Sequence, residues 1–339
     1  MAERSAAEFR TPRPIGSPVL ESILPVIASS QFVQTNVQKI REHAAWLAYE
    51  ELPFPQFMLP LGFGRDREET INFAMVAGLL NFAFTDFESR IRFEVEYRGE
   101  KWSDAEAMFA CLKRAMDDGI PVLDGACLAR ITRSELAGIF RGNIEIPMLE
   151  ERTAILRETG AILEERYEGK FHRFLATCPP RLYDNGAGII ERMAEEFPRC
   201  RDVSRLDGME VKFYKLSQLA VWMLHATLRD AGGFPVEDLD KMTAFADYVV
   251  PMALRLMGIL SYEQGLEQRI ASRQPIARDS REEIEIRAHT IYATALLREE
   301  INLLRPSTMQ VIIPQVDARL WTHYHTTFWP HHLTRTIMY

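Results

Sequence analysis

A single carboxylate, Asp247, stands in the otherwise apolar and aromatic run KMTAFADYVVP, residues 241–251. Phe245, Ala246, Tyr248, Val249 and Val250 surround it. Taking an unpaired carboxylate out of water costs on the order of several kcal/mol or raises its pKa, so such a residue needs a partner or a task. In surroundings of low dielectric it is suited to face developing positive charge or to act as a general base. Lys215, in EVKFYKLSQLAVWMLHATL, is the candidate partner. On a helix beginning near Phe213 it projects within about 40° of Leu219, Trp222 and Ala226. A lysine on such a face either snorkels its ammonium to water or points it at a buried carboxylate. Asp247 has a plainer use as a cap for the helix that Pro251 helps to start. The two uses are compatible, because a carboxylate at a helix entrance is held near its ionised form.

The elements that must position these groups are mostly helical. In MLEERTAILRETGAILEERYEG, Leu149, Ile155, Leu156, Ile162 and Leu163 recur at helical steps with charges between them, and Gly169 is a stop. Similar patterns predict helices over 104–117, 187–196, 213–230, 251–270 and 282–304. RIRFEVEYRGEKWS differs: Ile91, Phe93, Val95 and Tyr97 alternate with charged residues, predicting a half-buried strand that ends at Gly99. LLNFAF before it is the expected partner, which gives a small antiparallel hairpin or sheet near residues 80–103. LRDAGGFPVEDLD reads as a helix stop and a new start, too short to separate domains. The expectation is one mostly α domain over residues 19–339, preceded by a flexible segment at 1–18.

The chain has 339 residues, 47% hydrophobic and 26% charged, with a formal net charge of -8. That balance suits a soluble globular protein and argues against a long phosphate backbone as the main partner. Four cysteines lie far apart without a C-x-x-C pair, which reads as reduced thiols in a cytoplasmic protein. The polar start, MAERSAAEFRTPRPIGSP, carries no apolar signal core, and no apolar run has membrane-spanning length. The C-terminal stretch WTHYHTTFWPHHLTRTIMY holds four of the eight histidines together with Trp321, Tyr324, Phe328 and Trp329. Its histidine spacing invites a metal reading. Without a cysteine, and with Asp317 as a distant carboxylate, it supplies a poor ligand set, so neither metal nor cofactor is expected.

RDVSRLDGMEVKFYKLSQLAV, MTAFADYVVP, EEIEIRA, LEERTAILRETG and the C-terminal DARLW…HHLTRTIMY together resemble the queuosine salvage proteins, from about residue 72 to Tyr339. The resemblance implies a mostly helical fold related to the helix-hairpin-helix DNA glycosylases. It also implies hydrolysis of queuosine 5'-monophosphate to queuine and ribose 5-phosphate. The family's lysine and aspartate fall on Lys215 and Asp247. The sequence departs from that pattern at Gly78, at Thr85 and over SDAEAM, residues 103–108, positions able to contact the base.

Under this reading Asp247 faces the positive charge that builds on the ribose, and Lys215 partners it or binds ribose or phosphate. A 7-deazaguanine has carbon in place of N7, so charge on the departing base must be absorbed elsewhere. Phe82, Phe84, Phe213, Tyr214, Phe245 and Tyr248 are available as aromatic walls, with core packing as the alternative for each. Asn81 or Glu285 suits the amine and diol of queuine, although Glu285 and Arg287 also fit a helix-surface ion pair. Trp321 joins the binding candidates, His332 and Arg335 are expected to supply cations for the 5'-phosphate, and Tyr339 to close the pocket. The expected partner is a small nucleotide bound by a monomer, with no direct nucleic acid and no membrane. The alternatives are an N-glycosidase for another modified or deazapurine nucleotide, and a helical nucleotide-binding protein without turnover.

Overall fold

The structure is a computed structural model and describes residues 10–55, 61–62, 66–229, 233–327 and 329–339. In chain order the elements are α1 (Pro18–Ala28), β1 (Val33–Thr35), α2 (Val37–Leu47), α3 (Arg67–Leu79), β2 (Glu94–Tyr97), β3 (Glu100–Ser103), α4 (Asp104–Asp117), α5 (Gly125–Arg130), α6 (Arg133–Ile139), α7 (Leu149–Arg166), α8 (Phe171–Ala176), α9 (Ile189–Glu196), β4 (Val203–Leu206), β5 (Met209–Lys212), α10 (Lys215–Leu228), α11 (Val249–Leu256), β6 (Leu260–Tyr262), α12 (Gln264–Ala271), α13 (Arg281–Leu304) and α14 (Ile313–Tyr324). The protein is mostly helical, with three two-stranded antiparallel sheets among the described residues. By contacts it forms two compact units: residues 1–55, 202–218 and 238–335, and residues 56–201, 219–237 and 336–339.

The spine of the first unit is α13, which packs against α1, α2, α11 and α14. It is buried from Glu283 through Leu297 on every face, and so must bury Glu283, Glu285, Arg287 and His289 as well as its apolar residues. Charges in such a place need fixed partners. β1 pairs with β6, Val33 opposite Tyr262, and β4 pairs with β5 through Asp207–Gly208, both in the left-handed region that a two-residue hairpin turn demands. From Arg10 on, the N-terminal segment is tied down. Arg10 pairs with Glu299 and Glu300, its carbonyl accepts the Tyr292 hydroxyl at 2.7 Å, and Ser17 is fully buried. Residues 1–9 of the segment expected to be flexible lie outside the described residues.

In the second unit α3 is buried continuously from Thr70 to Leu79, as a helix apolar all round requires. Helices α5 and α7 touch at glycines: a Cβ on Gly160 would lie 2.3 Å from the Ala129 nitrogen. Gly78 packs less tightly, a Cβ there meeting the Ala220 Cβ at 3.0 Å. A larger side chain at Gly78 would require α10 to give way at Ala220.

Two sequence expectations change. The hairpin partner of 94–97 is not LLNFAF but Glu100–Ser103, joined by Arg98 and Gly99 in left-handed conformations. The near partner wins because this turn closes it directly. LLNFAF, residues 79–84, meets that strand only at its end, where the Phe84 carbonyl accepts the Phe93 N–H at 2.8 Å and the next residue, Thr85, bridges Arg92; the carbonyls of Leu80, Phe82 and Ala83 are taken by the buried Arg152 guanidinium. The pattern over 251–270 is two helices rather than one. Gly258 adopts φ +70° after α11, β6 intervenes, and Glu263 caps α12 by accepting the Gly265 and Leu266 N–H groups.

Candidate active site

Lys215 is the first residue of α10 and 5% exposed. It follows Tyr214, which holds a left-handed φ of +48° that non-glycine residues adopt only when their surroundings enforce it. Asp202 enforces it here. Its carbonyl accepts the N–H groups of Phe213 and Tyr214, and its Oδ2 accepts the Lys215 N–H at 3.1 Å. Asp202 is itself gripped by Arg287, which donates to Oδ1 at 2.9 Å and to Oδ2 at 2.6 Å. The same guanidinium lies 3.9 Å over the Phe213 ring and donates from Nε to the Ala246 carbonyl at 3.1 Å. One side chain of α13 thus joins the segment that carries Lys215 to the segment that carries Asp247.

That second segment is pinned residue by residue. The Thr243 N–H goes to Gln218 Oε1 at 2.8 Å, and Gln218 Nε2 donates to the Phe213 carbonyl at 2.9 Å. The Phe245 N–H goes to Asp317 Oδ2 at 2.9 Å. Asp247, 7% exposed, accepts the Val249 and Val250 N–H groups at 2.8 and 3.1 Å, both on Oδ1. It therefore caps α11, with Pro251 in the first turn where no N–H is needed. Both bonds leave Oδ2 outside the cap. Tyr248 stacks on His331 at 4.5 Å, and His331 donates from Nδ1 to the His332 carbonyl.

Burial dominates the electrostatics. It pushes the Lys215 ammonium below its ordinary pKa, opposed first by Asp247 and then by Asp317. It raises Asp247, opposed by Lys215, the two backbone N–H groups and His331. Asp317 lies well above the usual carboxylate range, because burial is reinforced by the like charge of Asp247 and relieved only by one N–H and Lys215. Asp247 has the better set of donors for a charged carboxylate, two backbone N–H groups against one for Asp317. His332 is brought down to about 3 by burial, His331 and Arg287. It is a neutral imidazole in the folded chain, not the cation expected from the sequence.

The first unit gathers Lys215, Asp247, Phe213, Tyr214, Phe245, Tyr248, Arg287 and His332 onto the segments just described. Glu285 and Arg287 do not form a surface ion pair, because both are buried with separate partners. The Glu285 carboxylate accepts the N–H groups of Gln31, Phe32 and Val33 and so fixes the entry to β1. Trp321 is 42% exposed and stacks on His325, while Arg335 is exposed. Asn81, Phe82, Phe84 and Tyr339 belong to the second unit. Phe82 is buried there with Arg152 at 4.2 Å and Arg199 at 4.8 Å from its ring, Phe84 and Tyr339 are buried, and Asn81 is half-buried. Thr85 is exposed, and Phe328 lies outside the described residues.

Sequence reasoning missed Asp202, Gln218 and Asp317 as parts of this arrangement. For Asp317 the signal was available: it falls within the buried stripe of Ile313, Val316 and Leu320 on α14. Among the described residues no group of three or more His, Cys, Asp or Glu is placed to hold a metal ion, and no helix is long and apolar enough to cross a membrane. A cavity of about 780 Å³ in the second unit balances Arg114, Arg130 and Arg141 against Asp118, Asp124 and Glu135, so it offers no net charge to a phosphate.

Fold and site describe a mostly helical protein with a buried lysine set against two aspartates, an arrangement suited to hydrolytic chemistry. The family model for queuosine salvage proteins matches residues 61–339, which include Lys215, Asp247 and Asp317. The chain belongs to this family. It is 36% identical over 326 residues to the queuosine 5'-phosphate N-glycosylase/hydrolase of Sphaerobacter thermophilus, covering 95% of this chain and 97% of that protein. It is 30% identical to the protein of the same name from Bos taurus, over 68% of this chain and 67% of the relative. For the Schizosaccharomyces pombe protein of that name the identity is 31%, over 69% and 70%.

Proposed function

We infer that this chain is an N-glycosidase that hydrolyses queuosine 5'-monophosphate to queuine and ribose 5-phosphate in queuine salvage. The observation that carries this reading is near full-length likeness to relatives of that name, in a chain whose buried Lys215 and Asp247 act on each other electrostatically. In the reaction the bond from the anomeric carbon to the base nitrogen breaks, and its electron pair leaves with the base. A water oxygen bonds to the anomeric carbon, one water proton is lost, and the base nitrogen gains one. Asp247 Oδ2 faces the charge on the ribose and orients or deprotonates the water, with Oδ1 anchored to α11. Lys215 keeps Asp247 ionised in the resting site.

The base cannot be protonated at the carbon that replaces N7, so it leaves with help from hydrogen-bond donors and stacking rings. The Tyr248–His331 stack supports the second role and the neutral His332 ring has one N–H for the first. Arg335 is the cation this reading assigns to the phosphate. Asn81, Phe82, Phe84, Trp321 and Tyr339 enter it on the family resemblance alone. Its finer parts are kinship with the helix-hairpin-helix DNA glycosylases, a monomeric and cytoplasmic protein, and no direct nucleic-acid contact. The net charge of -8 favours a small nucleotide over a nucleic acid.

The test is to incubate purified protein, with a chelator present, with queuosine 5'-monophosphate, queuosine, guanosine 5'-monophosphate and other deazapurine nucleotides, and to chromatograph for free base. Release of queuine from the first, ahead of the others, is expected. Preferential release of a different base, or binding without release, would replace this reading with one of its alternatives.

A further inference from the structure

Within the first unit, the buried carboxyl groups Asp202, Asp247 and Asp317 all act on the buried Lys215, and Asp202 also pairs with the buried Arg287. Arg287 is committed to Asp202 by two short hydrogen bonds, with Glu283 3.8 Å away on its own helix. Lys215 is then left with two carboxyls, Asp247 and Asp317, both acting on it. A dry site does not hold two carboxylates against one ammonium when a proton from solvent can neutralise one of them.

We propose that Asp317 is a positioning residue that stays protonated at neutral pH, holding the Phe245 N–H while leaving Lys215 to Asp247, so that the nucleotide meets one carboxylate instead of two. The choice between the two acids follows from their partners. Asp247 accepts two backbone N–H groups at the start of α11 and faces Lys215 and His331. Asp317 accepts one N–H and faces Asp247 and Lys215. Among the other groups nearby, Arg319 of α14 is paired with Glu50, Arg287 of α13 with Asp202, and His332 is neutral. Because Asp317 accepts through Oδ2, its proton sits on Oδ1. A second carboxylate beside Lys215 would oppose both entry of an anionic nucleotide and departure of a base that carries charge away.

This role rests on the proposed hydrolase reading, but its protonation can be measured without turnover. The folded protein keeps the Asp317 proton at pH values where the unfolded chain has lost it. Asp317 therefore stabilises the fold at low pH and loses that contribution as pH rises towards its folded pKa. Asp317→Asn keeps the shape and an acceptor for the Phe245 N–H and has no proton to lose. Its melting temperature should gain on the wild type steadily from about pH 5 to about pH 8. A difference that stays constant over that range would overturn the proposal, because it would mean that Asp317 is already ionised. If the variant does not fold, carboxyl NMR of wild-type protein labelled at aspartate gives the same reading. One aspartic acid still protonated at neutral pH is expected, and none would refute it. In activity, Asp317→Ala should lower kcat on the order of a hundredfold and Asn should restore most of it. Equal losses in the two variants would contradict a role for the neutral isostere. Absence of base release by the wild type would count against the hydrolase reading and leave the titration result standing.

Discussion

Replacing Asp247 by asparagine separates its two uses, because the structure divides them between its two oxygens. Both backbone bonds to α11 end on Oδ1, and an amide oxygen can accept them unchanged. Asparagine caps about as well as aspartate, so a residue that only capped would tolerate the change. What disappears is the charge, and with it the carboxylate that supports Lys215 most strongly. Losing one partner of a buried pair can cost about 3–5 kcal/mol of stability, less here because the lysine can shed its proton. Loss of a positioned base or charge stabiliser lowers turnover by about 10²–10⁴, or roughly 3–5 kcal/mol of barrier. Single-turnover release of queuine from queuosine 5'-monophosphate, followed by chromatography beside a calorimetric binding measurement, reads both effects. Asp247→Asn should bind the nucleotide and fail to cleave it. A folded variant that releases base at close to the wild-type rate would refute the catalytic assignment and leave Asp247 as a cap.

Arg287→Lys should destabilise the first unit by about 3 kcal/mol and abolish most activity, since an ammonium cannot grip both Asp202 oxygens and also reach the Ala246 carbonyl; denaturant unfolding and kcat measure this. His289 and His332 are both held at about 3 by burial, against 6.5 unfolded. The unfolded chain thus takes up these protons first, and stability should fall as pH drops below about 6.5, by about 1.4 kcal/mol per unit for each histidine. His332→Gln should flatten that slope in acid unfolding curves. The 5'-monophosphate should be preferred over queuosine in kcat/KM, because binding energy from a remote phosphate helps to position the ribose; equal values would remove the phosphate site.

Much of the site could be read from residues in unexpected company. Asp247 among aromatic residues and Lys215 on an apolar helix face both prove buried, and each is the strongest charge acting on the other. Asp317 stood out less, because its meaning depends on a backbone N–H 72 positions away in the chain. EEIEIRA looked like a solvated helix face because periodicity registers charge but not the tertiary partners that make buried charge tolerable. Those partners are Asp202 for Arg287 and the start of β1 for Glu285. The pairing of LLNFAF was misread for a similar reason. The strand pattern was visible, whereas its partner was decided by the left-handed Arg98–Gly99 turn together with Arg152, a residue distant in the chain that takes the Leu80, Phe82 and Ala83 carbonyls. Element boundaries set by local signals came through well: the helix over 104–117 is α4, and Gly169, at φ +73°, lies just beyond the end of α7.

The central claim is that water cleaves the bond between ribose and base in a site built around Asp247. Its most direct measurement is mass spectrometry of the products formed from queuosine 5'-monophosphate in water labelled with a heavy oxygen isotope. The expected products are unlabelled queuine and ribose 5-phosphate that gains one heavy oxygen at the anomeric carbon, both formed about 10²–10⁴-fold more slowly when Asp247→Asn replaces the wild type. Heavy oxygen in the base, release of inorganic phosphate in place of base, or unchanged product formation by the variant would contradict it.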